Sequence, residues 1–166
     1  EIVVPQIDFL VAAAQMIADD WQKIGVKLNT IVLNPAEIAN EIIKTRNYQM
    51  IIFGNILKNN PDVFSFWHSS ERFYPGLNLS LYEDKTADGL LEAVRRNFDA
   101  ASRLRDIKKL QALIREDLPA IFLFSPNYLY VSPKDLGGVS VKLIITPSNR
   151  FQGISQWYLK TARVFK

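Results

Sequence analysis

No cysteine occurs among the 166 residues, so disulfides, thiolate metal sites and cysteine nucleophiles are excluded. That says nothing of compartment, since a cysteine-free chain is compatible with either side of a membrane. Histidine occurs once, as His68; any triad, histidine metal pair or imidazole base must use it. The seven glycines are scattered, with neither a phosphate-cradling loop nor a serine flanked by glycines at a nucleophile elbow. No apolar run approaches the roughly 20 residues that span a bilayer. Charge of one sign is also scarce: 20 basic against 17 acidic residues give +3. The densest basic patches are only the pairs Arg95–Arg96 and Lys108–Lys109. Nucleic-acid binding calls for a stronger, clustered footprint, so these read as solvated helix faces. No signal peptide is visible and the first residue is Glu1; the expectation is a piece of a longer protein whose targeting segment lies upstream.

The composition is that of an ordinary globular domain, 48% hydrophobic and 22% charged. A chain of this length buries about two thirds of its unfolded surface without staples. Ile2-Val3-Val4, stopped by Pro5, reads as a strand. Phe9, Leu10, Ala13, Met16, Ile17, Trp21 and Ile24 step by three and four along a helix that Asp8 would cap and Gly25 would end. Residues 26–33 read as a second strand. Asn34-Pro35 opens a second helix with Ile38, Ile42 and Ile43 on its inner face. Residues 48–53 form a run apolar but for Gln49, the pattern of a strand covered on both faces. Strand and helix thus alternate as in an α/β layer.

From residue 55 to 82 the periodicity is lost, and so long a loop is unusual unless functional. It carries NNPDVFSFWHSS, residues 59–70, and a short helix is expected near 63–69. Phe64, Phe66, Trp67, Phe73 and Tyr74 either pack beneath the loop or line a ligand cleft. Asp62, Glu71, Glu83, Asp84 and Asp88 could in principle pair for hydrolysis. Most of them, however, sit at loop or helix starts, where acids favour the helix dipole. Helical stripes resume with Ala87, Leu90, Leu91, Val94 and Phe98, then Leu104, Ile107, Leu110, Leu113 and Ile114, with a joint at residues 100–102. Pro119 ends the helices. Residues 121–131, interrupted at Pro126, and 139–145 read as strands, with Tyr128 and Tyr130 on one face. The tail, 154–165, reads as anchored.

Taken in order, these segments resemble a known family. MIADDWQKIGVKLNTIVL, YQMIIFGN, NPDVFSFWHSS, LNLSLYEDKTADGLLEAVRRNFD and ASRLRDIKKLQALIREDLPAIFLFSPNYLYV resemble successive motifs of the family 5 extracellular solute-binding proteins. These are the oligopeptide, dipeptide and nickel-binding components of ABC importers. The resemblance runs through nearly the whole chain. It implies an α/β fold in which residues 1–166 are the C-terminal lobe of a two-lobed, type II periplasmic-binding-protein architecture, a mixed sheet flanked by helices. It implies solute capture by lobe closure and no catalysis. No cofactor or metal is implied, and the partners would be a peptide or other small solute, the permease subunits and the N-terminal lobe. The location would be periplasmic or extracellular, at the membrane. The solute-facing residues it implies are Phe53, Gly54, Asn55, Ile56, Leu57 and Lys58, with Trp67 and Tyr128 as aromatic walls. One departure stands out. Peptide-binding members place an aspartate shortly after this glycine, whereas here NILKNN puts Lys58 near that place and no acid before Asp62. A lysine repels an ammonium and attracts an anion. The alternatives from other classes are a hydrolase using carboxylates of the 55–88 region and an interaction module with an exposed apolar patch.

Overall fold

A computed structural model describes residues 1–57, 62–144 and 146–160. They fall into two compact units: one holds 1–55 and 62–121, the other 56–57, 122–144 and 146–160.

The first unit begins with strand β1, Ile2–Pro5, buried along its whole length. Helix α1, Asp8–Lys23, follows. Asp8 lies inside the first turn and Ile7 holds the cap position without a side-chain bond, so the expected Asp8 cap is replaced by a favourable charge at the helix N-terminus. The inner face also differs by one residue. Ala14 is buried, with Leu10, Val11 and Ile17 packed beside it, whereas Phe9, Met16 and Ile24 are exposed. The chain turns at Gly25, whose φ of +81° suits a residue without Cβ. Strand β2 is only Thr30–Leu33. Asn34 then closes a capping box with Glu37 over helix α2, Pro35–Glu37. That helix runs into a wider π-helical stretch, Ile38–Ile43, with Ile38 buried.

Strand β3 is Met50–Ile51 alone. The three strands form a parallel sheet in the order β2-β1-β3. The shortness of β3 has a cause in β1. In a parallel ladder alternate residues bond opposite neighbours. Ile2 and Gln6 donate toward β2, to Asn29 and Leu33, each at 2.9 Å. Val3 faces β3, its carbonyl accepting from Ile52 N–H at 2.9 Å. The next residue facing β3 is Pro5, which has no N–H to give. Its carbonyl is taken by Ile7 N–H at 2.7 Å. The ladder therefore ends two residues before the run of apolar side chains does.

Helix α3, Phe64–Trp67, and a single 3₁₀ turn, Ser69–Glu71, occupy the long connection. Asn78, fully buried, organises it: its amide donates to the carbonyls of His68 (3.2 Å) and Tyr82 (2.9 Å) and accepts from Tyr82 N–H (3.1 Å) and Ser80 Oγ (3.0 Å). Arg46 ties the connection to the sheet layer, donating to the carbonyls of Ile43, Arg72 and Gly76. Gly76 is required there, because a Cβ would fall 2.1 Å from the Glu71 carbonyl oxygen. Helix α4, Lys85–Arg96, is capped by Asp84 and helix α5, Ala100–Asp117, by Asp99. The joint is thus 97–99, three residues before the expected one, and Phe98 lies in it, 97% exposed. Ala87, Leu91, Leu110 and Ile114 form the core between the two helices.

In the second unit, strand β4, Leu136–Gly137, pairs antiparallel with β5, Tyr158–Leu159, and 3₁₀ turns lie at Pro147–Phe151 and Ile154–Gln156. The expected strand over 121–131 has no ladder partner among the described residues and is no strand, nor are 139–144; Ile145 and 161–166 lie outside those residues. Parallel and antiparallel pairing thus occur on separate sheets.

Candidate functional site

Open α/β sheets bind ligands outside the carboxyl ends of their strands, where the winding direction reverses. In this sheet the chain moves from β1 to β2 on one side and then across to β3 on the other, so the reversal lies between β1 and β3. The residues leaving those two carboxyl ends are Gln6 and Ile7 after β1 and 52–57 after β3. Ile52 is buried, while everything from Phe53 to Leu57 is exposed: Phe53 is 43%, Ile56 69% and Leu57 53% accessible. Such apolar side chains do not stay in water by preference. A Cβ at Gly54 would meet no heavy atom within 4 Å, so nothing in the fold itself demands glycine there. Five of the solute-facing residues expected from the sequence, Phe53 to Leu57, therefore form one exposed segment. Lys58 lies outside the described residues. Gln6 and Ile7, both exposed, have no counterpart among the sequence-derived candidates; only the strand order brings them forward.

The two aromatic walls have other surroundings. Trp67 is half-buried against the α4–α5 core and meets Tyr82 edge-on, ring centroids 6.4 Å apart. Tyr128 belongs to the second unit, where its hydroxyl accepts from Arg150 at 3.1 Å.

His68 ends α3 and caps the following turn. Its ring stacks on Phe64 at 4.0 Å between centroids. Nδ1 accepts from Ser70 N–H at 3.1 Å, which places the ring proton of the neutral form on Nε2. Nε2 lies 3.8 Å from Asp88 and 3.7 Å from Glu92, outside hydrogen-bond range of both. Nδ1 also lies 2.8 Å from the Ser70 hydroxyl oxygen, a contact within the same short turn.

Four of the five loop carboxylates are occupied. Asp62 accepts from Phe64 N–H at 3.1 Å and forms a two-pronged pair with Arg95, 2.9 Å from Nε and 2.8 Å from Nη2. Partial burial pushes its carboxyl upward, but the bonds to Arg95 and Phe64 and the Arg95 charge outweigh that and hold it below the usual range. Glu83 pairs with Arg72, Asp84 caps α4 through Ala87 N–H at 2.7 Å, and Asp88 accepts from Ser69 N–H at 2.9 Å. A general acid needs a raised carboxyl; that of Asp62 moves the other way. Burial, aided by a hydrogen bond to Asp117, pushes the Tyr82 hydroxyl well above its ordinary value, the state of a structural donor. Among the described residues no group of three His, Asp or Glu side chains could hold a metal ion, and no helix is long and apolar enough to cross a membrane.

Over 95% of its length the chain superposes on the solved oligopeptide-binding protein AppA of Bacillus subtilis, crystallised with a nonapeptide, at TM-score 0.76 and 24% identity. The fold is that of a solute-binding protein. A second solute-binding protein, the ABC transporter substrate-binding protein CtaP of Listeria monocytogenes, superposes over 96% of this chain at TM-score 0.73 and 20% identity. In sequence the chain is 24% identical to AppA over 88% of its own length. It is 28% identical to the probable D,D-dipeptide-binding periplasmic protein DdpA of Escherichia coli over 72%. No family model matches it. These relatives are family 5 solute-binding proteins, as the motifs in the sequence imply. This solute-binding fold is partial: the chain spans about a quarter of the curated relatives, 26% and 25%, and 31–33% of the solved chains.

Proposed function

We propose that this chain supplies one wall of an extracytoplasmic solute receptor that serves an ABC importer. The observation that carries the reading is the exposed segment Phe53–Asn55, which leaves the carboxyl end of β3 at the reversal point of the first unit's sheet. Such a segment offers backbone donors and acceptors to an extended ligand, so varied side chains are tolerated. Closure against a second lobe would bury the solute. A peptide is the leading solute, since AppA is solved with a nonapeptide. Permease subunits are the expected partners, and a periplasmic or extracellular location at the membrane follows from that role. No catalytic step is assigned, in keeping with relatives that are named as binding proteins and with loop carboxylates engaged in caps and ion pairs.

The solute-facing residues in this reading are Phe53, Gly54, Asn55, Ile56, Leu57 and Lys58, joined by Gln6 and Ile7 from the neighbouring strand end. Replacing Asn55 or Lys58 by alanine in the longer protein weakens solute binding about tenfold, the order of one or two lost hydrogen bonds, and leaves the melting temperature unchanged. Calorimetric titration and a thermal melt check this; unchanged affinity in both variants refutes the site.

A further inference from the structure

We infer that Pro5 is a positioning residue of the solute site: by ending the β1–β3 ladder it keeps the backbone of Ile52–Asn55 available to the solute. The inference rests on the receptor reading above and adds to it a residue that touches no solute itself.

The register Val3↔Ile51 would bring Pro5 opposite Phe53 if the ladder ran on. A residue with an N–H at position 5 would then donate to the Ile52 carbonyl and accept from Gly54 N–H, just as Val3 accepts from Ile52 N–H. Pro5 has no N–H to give, and its carbonyl accepts from Ile7 N–H at 2.7 Å instead. The Ile52 carbonyl and Gly54 N–H consequently take part in no hydrogen bond among the described residues. An acceptor at Ile52 and a donor at Gly54, two residues apart, have the spacing that the N–H and C=O of one residue of an extended chain would meet in a parallel pairing. The solute class that fits is one bearing amide groups in extended conformation. A central strand is an unfavourable place for proline, yet β1 is central in the sheet and is stitched to β2 through Gln6 N–H beyond it. The break is therefore one-sided: the β2 edge is kept and the β3 edge is released.

The test uses the full-length protein, with a pool of random-sequence nonapeptides as the probe. Pro5→Val and the smaller Pro5→Ala both restore the N–H. Native mass spectrometry reads peptide capture, amide hydrogen exchange reads the 52–55 segment, and a thermal melt reads stability. The expected result is at least a tenfold loss of capture with slower exchange at 52–55 and a melting temperature equal or higher. A merely structural proline would lower the melting temperature instead. Slower exchange with undiminished capture in either variant overturns the inference while leaving the receptor reading intact. Unchanged exchange in a folded variant also overturns it. If the unsubstituted protein captures no peptide, the receptor reading for peptides is overturned and the inference falls with it.

Discussion

Two stretches of similar apolar character meet opposite fates in this chain. In the first unit, Ile2–Val4, Ala14, Ile52 and the α4–α5 seam are buried, and Leu110 is 2% exposed. In the second unit no described residue is buried at all; Leu129 and Val131 are each 89% exposed. Both contain large apolar side chains, so their presence alone does not separate the two units. What separates them is whether a second layer exists. The first unit sets helices over a sheet and helix against helix. The second has a two-residue ladder, two 3₁₀ turns and a cluster of Trp157 with Tyr130 and Phe151, which is one layer without a cover.

The sharpest way to break this contrast is to truncate one leucine in each unit. Leu110→Ala is expected to cost about 2–5 kcal/mol in urea unfolding of this chain, the range for a buried leucine. Leu129→Ala should stay within about 0.5 kcal/mol, as for exposed substitutions generally. Comparable losses at both sites would mean that the second unit is packed in solution. An intermediate effect belongs to Asn78→Ala, which strips the partners from buried backbone groups of the 68–82 connection and should cost about 1–3 kcal/mol, read as a lower midpoint with an unchanged slope. The smallest effect is electrostatic. The Asp62 carboxyl is depressed in the folded chain, so its contribution is complete above the ordinary carboxyl range, near pH 4, and fades as the pH falls through the lower folded value. Asp62→Asn should flatten that acid-side decline, measured by melts across pH 2–5, and leave stability at neutral pH only slightly lower, as befits a partly exposed pair.

How much of this was legible in the sequence follows the same division. Helix starts that depend on one side chain were readable: Asn34 and Pro35 open α2, and Asp84 stands directly before α4. The stripe through Ala87, Leu91 and Val94 was readable because periodicity reports an inner face. It misplaced the α1 face by one residue, since Ala12-Ala13-Ala14 gives no contrast with which to set the phase. It also carried the α4 stripe one step too far, to Phe98, because periodicity alone does not see that the helix stops at Arg96. The 48–53 run was overextended for a reason that sat elsewhere in the chain, in a proline about fifty residues earlier that becomes a neighbour only after folding. Residues 121–131 carry every local mark of a strand, yet a strand needs a partner, and partners are not local. For the candidate site, the segment 53–58 came from resemblance to a family, while Gln6 and Ile7 could come only from strand order.

The prolines spaced between residues 119 and 133 carry a colloidal consequence. From Leu118 to Pro133 the sequence contains no charged residue, and the Ile121–Phe124 run lies exposed. Uncharged, β-prone segments of this kind are templates for copies of themselves. Pro119, Pro126 and Pro133 cut the stretch into six-residue pieces, each bounded by a residue that cannot donate to a growing ladder. The same imino acid that ends the β3 ladder early thus also keeps this uncharged stretch from offering an unbroken edge to its own kind.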